Sequence, residues 1–574
     1  MSVNKSGLIE RLKSLPSEKL ARLRQEVASR LTVGHAQVAE SLKRCGIKRV
    51  YGISGTPVDQ IFAACAARGI RPISAANQNA AVLMAAAGNY VAGCLESVVV
   101  LSAGPAVANS VMGILVAHDN GWPVLVFGGR RALHKEGIGY FQELDAVPIL
   151  SPLTRMSATV RNTSEITDSV FQAFTTAQTG RRGPVYIDLP EDVLEGYSLE
   201  RRTPSPELPP RSEIDLKAVQ SAARLVAEAE RPLLILGEDL RWSFQPESLR
   251  KLVEGFGIPF ITSPMGRGYL PDDHPLCANE ARRWFQGQAD VVVMAGAWLD
   301  WRFRFGTELA VDARVIHADT DTKTLGKNGV PKVAVMGEPG EFLSLLADAL
   351  GTDMNGVGGH RYAAWRKVMV EAIAERRKSS EEWLYQQAVP LLPQQLFLAV
   401  RDVLPADSII AVEGNICLAA AQKILQARRP ASWLDPGRNG VIGASIPFAM
   451  GAKLACPERP VVAFCSDTGF SMSAMDLEAA VRHRISIIVV IANNDGNSGS
   501  VRQKKFFPVG YPERFSEFLP GLRYERIMDM FGGHAEYITE AAAIRPGFEH
   551  ALASGVPACL NVRLDPHAPH SGFW

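Results

Sequence analysis

Short apolar runs alternate with helix-like stretches along most of the chain. Residues 461–464 and 485–492 are almost wholly apolar and rich in Val and Ile, which is typical of strands buried on both faces of a parallel sheet. The stretch between them, residues 475–482, has helical character. This order of strand, helix and strand predicts an α/β fold. Three further strand candidates lie in the middle of the chain, at residues 232–237, 289–295 and 314–318.

Two stretches of helix- and strand-breaking residues divide the chain. Residues 201–212 (RRTPSPELPPRS) are rich in Pro, and residues 351–359 are rich in Gly. We therefore predict three doubly wound parallel-sheet domains and a short helical N-terminal extension. The predicted bounds are 1–33 for the extension, 34–200, 213–350 and 390–574 for the domains, and 351–389 for a linker and helix.

The N-terminal extension carries apolar residues at helical spacing in two stripes, which Pro16 and Ser17 separate. Two short helices are therefore predicted. We expect them either to pack on the protein's own dimer or to dock a partner, for instance a carrier protein. A mitochondrial transit peptide is disfavoured because the segment contains acidic residues. The apolar stripes are Leu8, Leu12 and Leu15, then Leu20, Leu23, Val27 and Leu31.

Length, charge and cysteine content narrow the class of protein. A chain of 574 residues with 47% hydrophobic content can bury several cores. Its 61 basic and 60 acidic residues nearly balance, so no general attraction to nucleic acid or to a membrane surface is expected. Eight scattered cysteines without a Cys-x-x-Cys pair indicate a reduced, cytoplasmic protein. The sequence contains no recognisable signal peptide and no apolar span of about 18 residues.

Oxygen ligands follow two of the predicted strands. Asp467 comes soon after the run 461–464, and Asn494, which follows the run 485–492, lies 27 positions beyond Asp467. The carboxyl ends of parallel strands lie along one edge of a sheet. We therefore expect the Asp467 carboxylate, the Asn494 amide and the Gly496 carbonyl to meet there. Such oxygen ligands suit Mg²⁺, which takes its other ligands from phosphates and water.

The stretch 466–469 (SDTG), followed by Asn493 and Asn494, resembles the Gly-Asp-Gly and Asn-Asn fingerprint of thiamine-diphosphate (ThDP) enzymes. The spacing agrees, but Ser466 and Thr468 stand where that family has glycines. The resemblance implies that Mg²⁺, held by the three oxygen ligands just named, anchors the diphosphate of ThDP. It also implies that Thr468 and Gly469 contact the cofactor.

Two other segments are similar to cofactor-binding segments of the same family. Residues 440–447 resemble its Gly-x-Met-Gly segment, which implies that the Gly440 carbonyl and the Ile442 side chain hold the aminopyrimidine ring of ThDP. Ile442 would be the apolar wedge that bends the cofactor, and a β-branched side chain is stiff at χ1. Residues 412–415 (VEGN) resemble the first diphosphate loop of oxalyl-CoA decarboxylases and 2-hydroxyacyl-CoA lyases. The residues expected to bind the cofactor in that loop are Glu413, Gly414 and Asn415.

The N-terminal third is similar to the pyrimidine-binding domain of these enzymes. The stretches that carry this similarity are residues 51–58, 102–109 and 183–190. Residues 141–145 match the family's Phe-Gln-Glu segment, which implies that Gln142 lies over the reactive carbon of the cofactor. Tyr140 and Phe141, beside it, are expected to shape the acceptor pocket.

Gln78 marks a departure from the family. Related enzymes have Glu there, in a His-Glu-Gln segment, and that Glu hydrogen-bonds N1′ of the aminopyrimidine and drives the tautomer that removes the C2 proton. Alignment of the following apolar helix places Gln78 at this position. An amide can bond N1′ but cannot exchange a proton with it. Because a positioned acid or base contributes about 10²- to 10⁴-fold, we expect slower activation of the cofactor rather than none.

The resemblance implies a homodimer or homotetramer in which the pyrimidine domain of one subunit and the diphosphate domain of another form each site. We expect a lyase or ligase that breaks or forms a carbon–carbon bond at a carbonyl group, with an acyl-CoA or another acyl thioester as partner. The alternative is a 2-oxo acid decarboxylase or an acetolactate-synthase-like carboligase. A second alternative is a catalytically degenerate scaffold subunit. The tail 565–574 is predicted to form a lid over the site.

Overall fold

The computed structural model describes residues 16–199, 204–353, 361–511 and 514–568 of the chain. These residues form three parallel β-sheets with helices packed alongside, which confirms the prediction of three α/β domains. The first helix predicted in the extension and most of the predicted lid lie outside the described residues. No helix in the described part of the chain is long and apolar enough to cross a membrane.

The first domain contains a six-stranded parallel sheet and a small antiparallel ribbon. The sheet consists of β2 (Arg49–Gly52), β3 (Arg71–Ser74), β4 (Ser97–Leu101), β5 (Val124–Arg130), β6 (Met156–Thr159) and β7 (Pro184–Pro190), in the order β3-β2-β4-β5-β7-β6. In the ribbon, β1 (Leu31–Val33) pairs with β8 (Tyr197–Leu199), so the start of this domain is held to its end. The helices are α1 (Ser17–Arg30), α2 (Gly34–Arg44), α3 (Asp59–Ala66), α4 (Gln78–Ala92), α5 (Pro105–Ala108), α6 (Val111–Asp119), α7 (Ala146–Leu150), α8 (Ile166–Gln178) and α9 (Glu191–Glu195).

The second domain has a five-stranded parallel sheet. Its strands are β9 (Pro232–Leu236), β10 (Phe260–Thr262), β11 (Val291–Ala295), β12 (Arg314–Asp319) and β13 (Val333–Met336), in the order β10-β9-β11-β12-β13. Its helices are α10 (Leu216–Glu228), α11 (Pro246–Arg250), α12 (Arg282–Gln288) and α13 (Pro339–Asp353), and α14 (Ala363–Tyr385) leads to the third domain. Helix α13 continues through the first three residues of the predicted Gly-rich linker, so the helix ends later than the composition indicates.

The third domain has another six-stranded parallel sheet. Its strands are β14 (Ile409–Val412), β15 (Trp433–Leu434), β16 (Val461–Ser466), β17 (Ile488–Asn493), β18 (His534–Ile538) and β19 (Ala558–Arg563), in the order β15-β14-β16-β17-β19-β18. Strands β16 and β17, predicted from their apolar runs, are adjacent and almost wholly buried. The helices are α15 (Pro393–Arg401), α16 (Asn415–Ile424), α17 (Ser445–Ala455), α18 (Asp467–Ser473), α19 (Asp476–Arg482), α20 (Gly499–Phe506), α21 (Ile527–Phe531) and α22 (Ala541–Ser554).

Helices α4 and α17 join the first domain to the third. Helix α4 is apolar on all sides and is buried continuously from Ala80 to Val91. The two backbones almost touch, because a Cβ on Gly451 would lie 2.0 Å from the Met84 carbonyl oxygen and one on Gly88 would lie 3.1 Å from the Gly451 carbonyl oxygen. As a result, one hydrophobic core runs through both domains.

Replacing Gly451 with Ala should force α4 and α17 apart, because the new methyl group would meet the Met84 carbonyl oxygen. Overpacking of this kind costs about 1–3 kcal/mol. We expect a lower urea midpoint for unfolding. Gly255→Ala is the matched control, since its methyl group would meet only Lys251 Cγ, at 3.9 Å. Equal losses in the two variants would contradict a tight helix crossing.

Candidate cofactor site

Asp467 lies at the junction of β16 and α18, where its side chain is fully buried. One carboxylate oxygen accepts a hydrogen bond of 2.7 Å from the Gly496 N–H, and the other accepts one of 2.7 Å from the Thr468 N–H. Ser466 caps α18 by accepting a hydrogen bond from the Gly469 N–H. The bond from Gly496 links the loop after β16 to the loop after β17, and it uses the Gly496 N–H, whereas the predicted metal ligand is the carbonyl of the same residue.

The loop after β17 is held in an unusual backbone shape. Asp495 has φ +59 and Gly496 has φ +138, a value that favours glycine. A Cβ on Gly496 would also lie 2.4 Å from the Ser516 carbonyl oxygen. The Asp495 carboxylate pairs with Arg563, the last residue of β19. The loop therefore has no room for a larger residue at 496, and Asn494, just before it, is buried.

Burial is the main influence on the Asp467 carboxyl group. It raises the pKa of Asp467 to about 6, against the opposing effect of the hydrogen bonds from Gly496 and Thr468. An acid in this environment is stabilised in its charged form by a cation.

The other predicted diphosphate-domain residues divide into exposed and buried groups. Asn415, at the start of α16, and Gly440, with φ +57, are exposed, and Ile442 is half-buried. Gly414 precedes α16 with φ +80. Glu413, in contrast, is fully buried, and its carboxylate accepts hydrogen bonds from the Ala444 and Ser445 N–H groups. The first four are placed where a ligand can reach them, and Glu413 lies behind them.

Gln78 is the first residue of α4, with Asn77 as the cap that accepts a hydrogen bond from Ala80. Its amide oxygen accepts a 2.7 Å hydrogen bond from the Asn109 side chain. The Gln78 side chain makes no other hydrogen bond within the described residues, so its NH₂ group is the part left to contact a ligand. The segment before it is fixed from the third domain, because the Asp476 carboxylate accepts a 2.9 Å hydrogen bond from the Ala76 N–H.

Gln142 lies in the loop between β5 and α7 with a left-handed backbone, at φ +60. Its side-chain oxygen accepts a 2.9 Å hydrogen bond from Arg131, which also donates to the Phe141 carbonyl oxygen. The loop lies against Gly104, where a Cβ would meet the Gln142 carbonyl oxygen at 2.7 Å. Tyr140 and Phe141 are exposed in the single chain, by 38% and 71% respectively, so both can contact a ligand or a second subunit.

Two residues that contact the candidate site, Asn109 and Asp476, are absent from the sequence predictions. Asn109 ends the stretch 102–109 that resembles the pyrimidine domain, so a signal for it was present. Asp476 lies in α19, with nothing in its neighbours to show that it reaches across to the first domain. Burial raises the pKa of Asp476 to about 7.

A cationic cavity of about 510 Å³ lies beside the predicted diphosphate loops. Two of its arginines, Arg282 and Arg302, are almost fully buried, and each has at least one side-chain N–H group without a hydrogen-bond partner. Burial and the neighbouring Arg302 lower the pKa of Arg282 to about 10. Arg302 also pairs with Glu238 and Asp300, so Arg282, with two unpartnered nitrogens, is the buried cation that an anionic ligand would stabilise most. The lining residues are Pro264, Arg282, Arg283, Trp301, Arg302, Arg304, Leu418, Gln422, Asp435 and Gly437.

Comparison with known proteins identifies all three sheets. The N-terminal binding domain of thiamine pyrophosphate (another name for ThDP) enzymes matches residues 32–149, their central domain matches 219–346, and their C-terminal binding domain matches 413–562. The chain belongs to the thiamine pyrophosphate enzyme family. Asp467, Asn494 and Gly496 all lie within the C-terminal binding domain of this family.

Several members of the ThDP enzyme family are similar to this chain over nearly its whole length. An acetolactate synthase large subunit of Mycobacterium tuberculosis is 31% identical over 531 residues, 92% of this chain and 95% of that protein. A 2-hydroxyacyl-CoA lyase of Arabidopsis thaliana is 29% identical, with 93% and 96% covered. The oxalyl-CoA decarboxylase of Escherichia coli is 30% identical, with 94% and 96% covered. These relatives carry out different reactions, so the family is fixed and the substrate is not.

The residues present fit a ThDP enzyme's metal and cofactor. A buried carboxylate, an amide and a backbone carbonyl are hard oxygen donors, and Mg²⁺ is commonly held by one or two carboxylates together with phosphates. In the described residues, no group of three or more His, Cys, Asp or Glu side chains is arranged to hold a metal ion. A cation at Asp467 would therefore depend on ligands from the diphosphate, which couples metal binding to cofactor binding.

Replacing Asp467 with Ala should abolish retention of ThDP, because the diphosphate would lose the carboxylate that holds its metal. Titration calorimetry of the metal-free protein with ThDP and Mg²⁺ measures this loss. Asp467→Asn is the matched variant, since it removes the charge, keeps the shape and keeps one acceptor oxygen for either the Gly496 or the Thr468 N–H group. Asn494→Ala should weaken binding less, because water can replace a neutral ligand. If Asp467→Asn binds ThDP as tightly as the parent protein does, then the Asp467 carboxylate does not anchor the metal.

Proposed function

We propose that the protein is a ThDP- and Mg²⁺-dependent enzyme that breaks or forms a carbon–carbon bond at a carbonyl group, with an acyl thioester as substrate or product. The cationic cavity is the observation that carries the thioester assignment. Its volume, about 510 Å³, is in the range of small-molecule sites, roughly 300–1,000 Å³. Four arginines around one cavity suit the phosphate groups of an acyl-CoA.

The position of the cavity supports the same assignment. Leu418 and Gln422 line it from α16, the helix that begins at Asn415, and Gly437 lines it three residues before Gly440. The cavity and the candidate cofactor site therefore share one helix and one loop. A thioester whose phosphates lie among the arginines would have its acyl group on the side of the cofactor. Two of the three relatives described above act, by name, on CoA compounds.

In this proposal the chain's own residues hold, orient and enclose the reactants. Asp467, Asn494 and Gly496 bind the metal, and Gly440 and Ile442 support the aminopyrimidine ring. ThDP, when bound, supplies a nucleophilic carbon and an electron sink. Gln142, kept in place by Arg131, and the exposed rings of Tyr140 and Phe141 bound the space for the acceptor. The other cofactor contacts proposed from the sequence are Gln78, Gly414, Asn415, Thr468 and Gly469, whereas the buried Glu413, predicted with them, lies behind Gly414 and Asn415.

Gln78 determines which proton transfers to the cofactor are possible at this site. Because Asn109 already donates to its amide oxygen, Gln78 offers an NH₂ donor and no acidic proton. Carbon–carbon ligation benefits from this arrangement, since a proton delivered to the reactive carbon before the acceptor arrives would end the reaction. We therefore favour the ligase direction or a slow lyase over a fast decarboxylase.

A second candidate function is acetolactate-synthase-like carboligation of 2-oxo acids. The 31% identity to acetolactate synthase over 92% of the chain favours it. The arginines of the cavity would then bind the carboxylate of the substrate. A non-catalytic ThDP-binding scaffold is the third candidate, supported by Gln78 and by Ser466 and Thr468, which stand where the family has glycines.

We also propose a homodimer or homotetramer and a C-terminal lid. Exposed apolar residues on both halves of the site, such as Phe141 and Met472, need a covering surface, and a second copy supplies one. The tail begins beside the loop that carries Asn494 and Gly496, because the Leu564 N–H donates to the Asn493 carbonyl oxygen. Further along the tail, His567 contacts Lys504. Residues 1–33 are proposed to bind either the dimer or a carrier protein.

Mass spectrometry of reaction mixtures tests the proposed function. The mixtures contain ThDP, Mg²⁺, formyl- or 2-hydroxyacyl-CoA and a panel of aldehydes, and parallel mixtures contain 2-oxo acids. New carbon–carbon products from the thioesters support the proposal, and products from 2-oxo acids alone support the acetolactate-type reaction. Asp467→Asn serves as the inactive control, and no product in any mixture would favour the scaffold.

Replacing Gln78 with Glu should speed hydrogen–deuterium exchange at C2 of bound ThDP, because a carboxyl group can share a proton with the ring. We expect a gain near the lower end of the 10²- to 10⁴-fold range. Acid quench followed by NMR measures the exchange. Gln78→Met, which can neither donate nor accept, is the control for shape. An unchanged rate in Gln78→Glu would mean that residue 78 does not face the cofactor.

Replacing Arg304 with Gln should raise the KM for an acyl-CoA roughly fivefold, equivalent to about 1 kcal/mol for one lost charged hydrogen bond. Arg304 is suited to this test because its side chain lines the cavity and is 55% exposed. The KM for the corresponding acyl-pantetheine, which lacks the nucleotide phosphates, should not change. Arg545→Gln, a partly exposed arginine of α22, is the control for charge. An equal rise in the KM for both thioesters would mean that the nucleotide part of the acyl-CoA does not bind at Arg304.

A further inference from the structure

Glu413 is a buried acid between two loops of the candidate cofactor site. It follows β14 directly, and its side chain is fully buried with no ion pair to any described residue. One carboxylate oxygen accepts hydrogen bonds from the Ala444 N–H and, at 3.1 Å, the Ser445 N–H, where α17 begins. The other oxygen, Oε1, has no hydrogen-bond partner. A buried acid in this state is costly, so its retention calls for a physical reason.

The free oxygen of Glu413 packs against Gly469, in the first turn of α18. A Cβ on Gly469 would lie 2.2 Å from Glu413 Oε1 and 3.0 Å from its Cδ, whereas the next atom, the Gly443 nitrogen, is 3.5 Å away. Gly469 does not have a left-handed backbone, so another residue would fit its φ. The absence of a side chain at 469 therefore makes room for Glu413. The Gly469 N–H, predicted to meet a phosphate, donates instead to the Ser466 hydroxyl.

The groups around Glu413 do not neutralise it. Burial raises the pKa of Glu413 to about 7, and the hydrogen bonds from the Ala444 and Ser445 N–H groups oppose this rise. The neighbouring titratable groups are the thiols of Cys417 on α16 and Cys465 on β16, and both interact with Glu413 and with Asp467. None of these groups carries a positive charge. The partial positive charge at the start of α17 is the remaining source of stabilisation for the carboxylate.

We propose that Glu413 is a positioning residue, which couples the loop of Ile442 to the first turn of α18 and makes no contact with the cofactor. Its carboxylate holds the residues that follow Ile442 through two N–H groups, and its free oxygen fixes the distance to the turn that begins with Asp467. The role of these two loops in cofactor binding rests on the proposed function. The contact between them stands on the geometry alone.

A double-mutant cycle on the cofactor-free protein tests the contact. Gly469→Ala should lower the melting temperature, because its methyl group would collide with Glu413. In a Glu413→Ala background the same change should cost much less, because the colliding atoms are gone. Additive losses in the double variant would overturn the coupling. This result is independent of any activity, so it can succeed even if the proposed function fails.

Conservative variants test the role in cofactor binding by calorimetry with ThDP and Mg²⁺. Glu413→Gln keeps the length and an acceptor oxygen, so the affinity should stay within about threefold of the parent, whereas the shorter Glu413→Asp should lose about tenfold. Equal losses in both variants would make Glu413 a direct ligand and overturn the proposal. Failure of the parent itself to bind ThDP would count against the proposed function instead.

The pH dependence of melting gives a readout that separates this acid from an ordinary structural residue. The pKa of Glu413 is about 7 in the folded protein, above the ordinary value of 4.5, so the folded state binds this proton more tightly. The stabilisation is present below pH 4.5 and is lost as the pH rises to about 7. Glu413→Gln should remove this loss while leaving the protein folded. An identical pH profile in the variant and the parent would contradict a buried, unpaired Glu413.

Discussion

The close crossing of α4 and α17 is the contact on which the rest of the site depends. Gly88 and Gly451 allow two backbones to approach within the space that a single methyl group would fill. The helices begin at Gln78 and at Ser445, so the crossing fixes the start of the pyrimidine-domain helix relative to the loop of Ile442. Asp476 adds a hydrogen bond at the same end. Packing in the core thus sets how one chain holds its pyrimidine-domain and diphosphate-domain surfaces, which the proposed dimer would pair with those of a second subunit.

Buried acids and buried arginines occupy different parts of the candidate site. Burial raises the pKa values of Glu413, Asp467 and Asp476, and these acids make no ion pair within the described residues. In the cavity, Arg282 has two nitrogens without partners, whereas Arg302 pairs with Glu238 and Asp300 and has one. The proposed ligands would offset part of this cost, a metal ion at Asp467 and an anion at Arg282. Buried charged groups that lower the stability of the unliganded protein are characteristic of a binding site.

The sequence predicts features that depend on neighbouring residues and misses those that depend on distant ones. Strands β16 and β17 follow from their apolar runs, and Asp467 meets the loop of Gly496 because parallel strands end on one edge. The burial of Glu413 could not be foreseen, since it requires a glycine 56 positions later to make room. The cationic cavity draws its arginines from separate turns around residues 282 and 302, which come together only in the folded domain.

The crossing of α4 and α17 also sets conditions on how the protein is made. Gly451 follows Gly88 by 363 residues, an interval that takes roughly 20–70 s at about 5–20 residues per second. During this time the apolar helix α4 has left the ribosome without the helix that covers it. Until the third domain is made, the first domain is thus a folding intermediate that exposes a hydrophobic surface, and chaperones can recognise this surface. A cell that overproduces the chain must shield that surface until the last third has been synthesised.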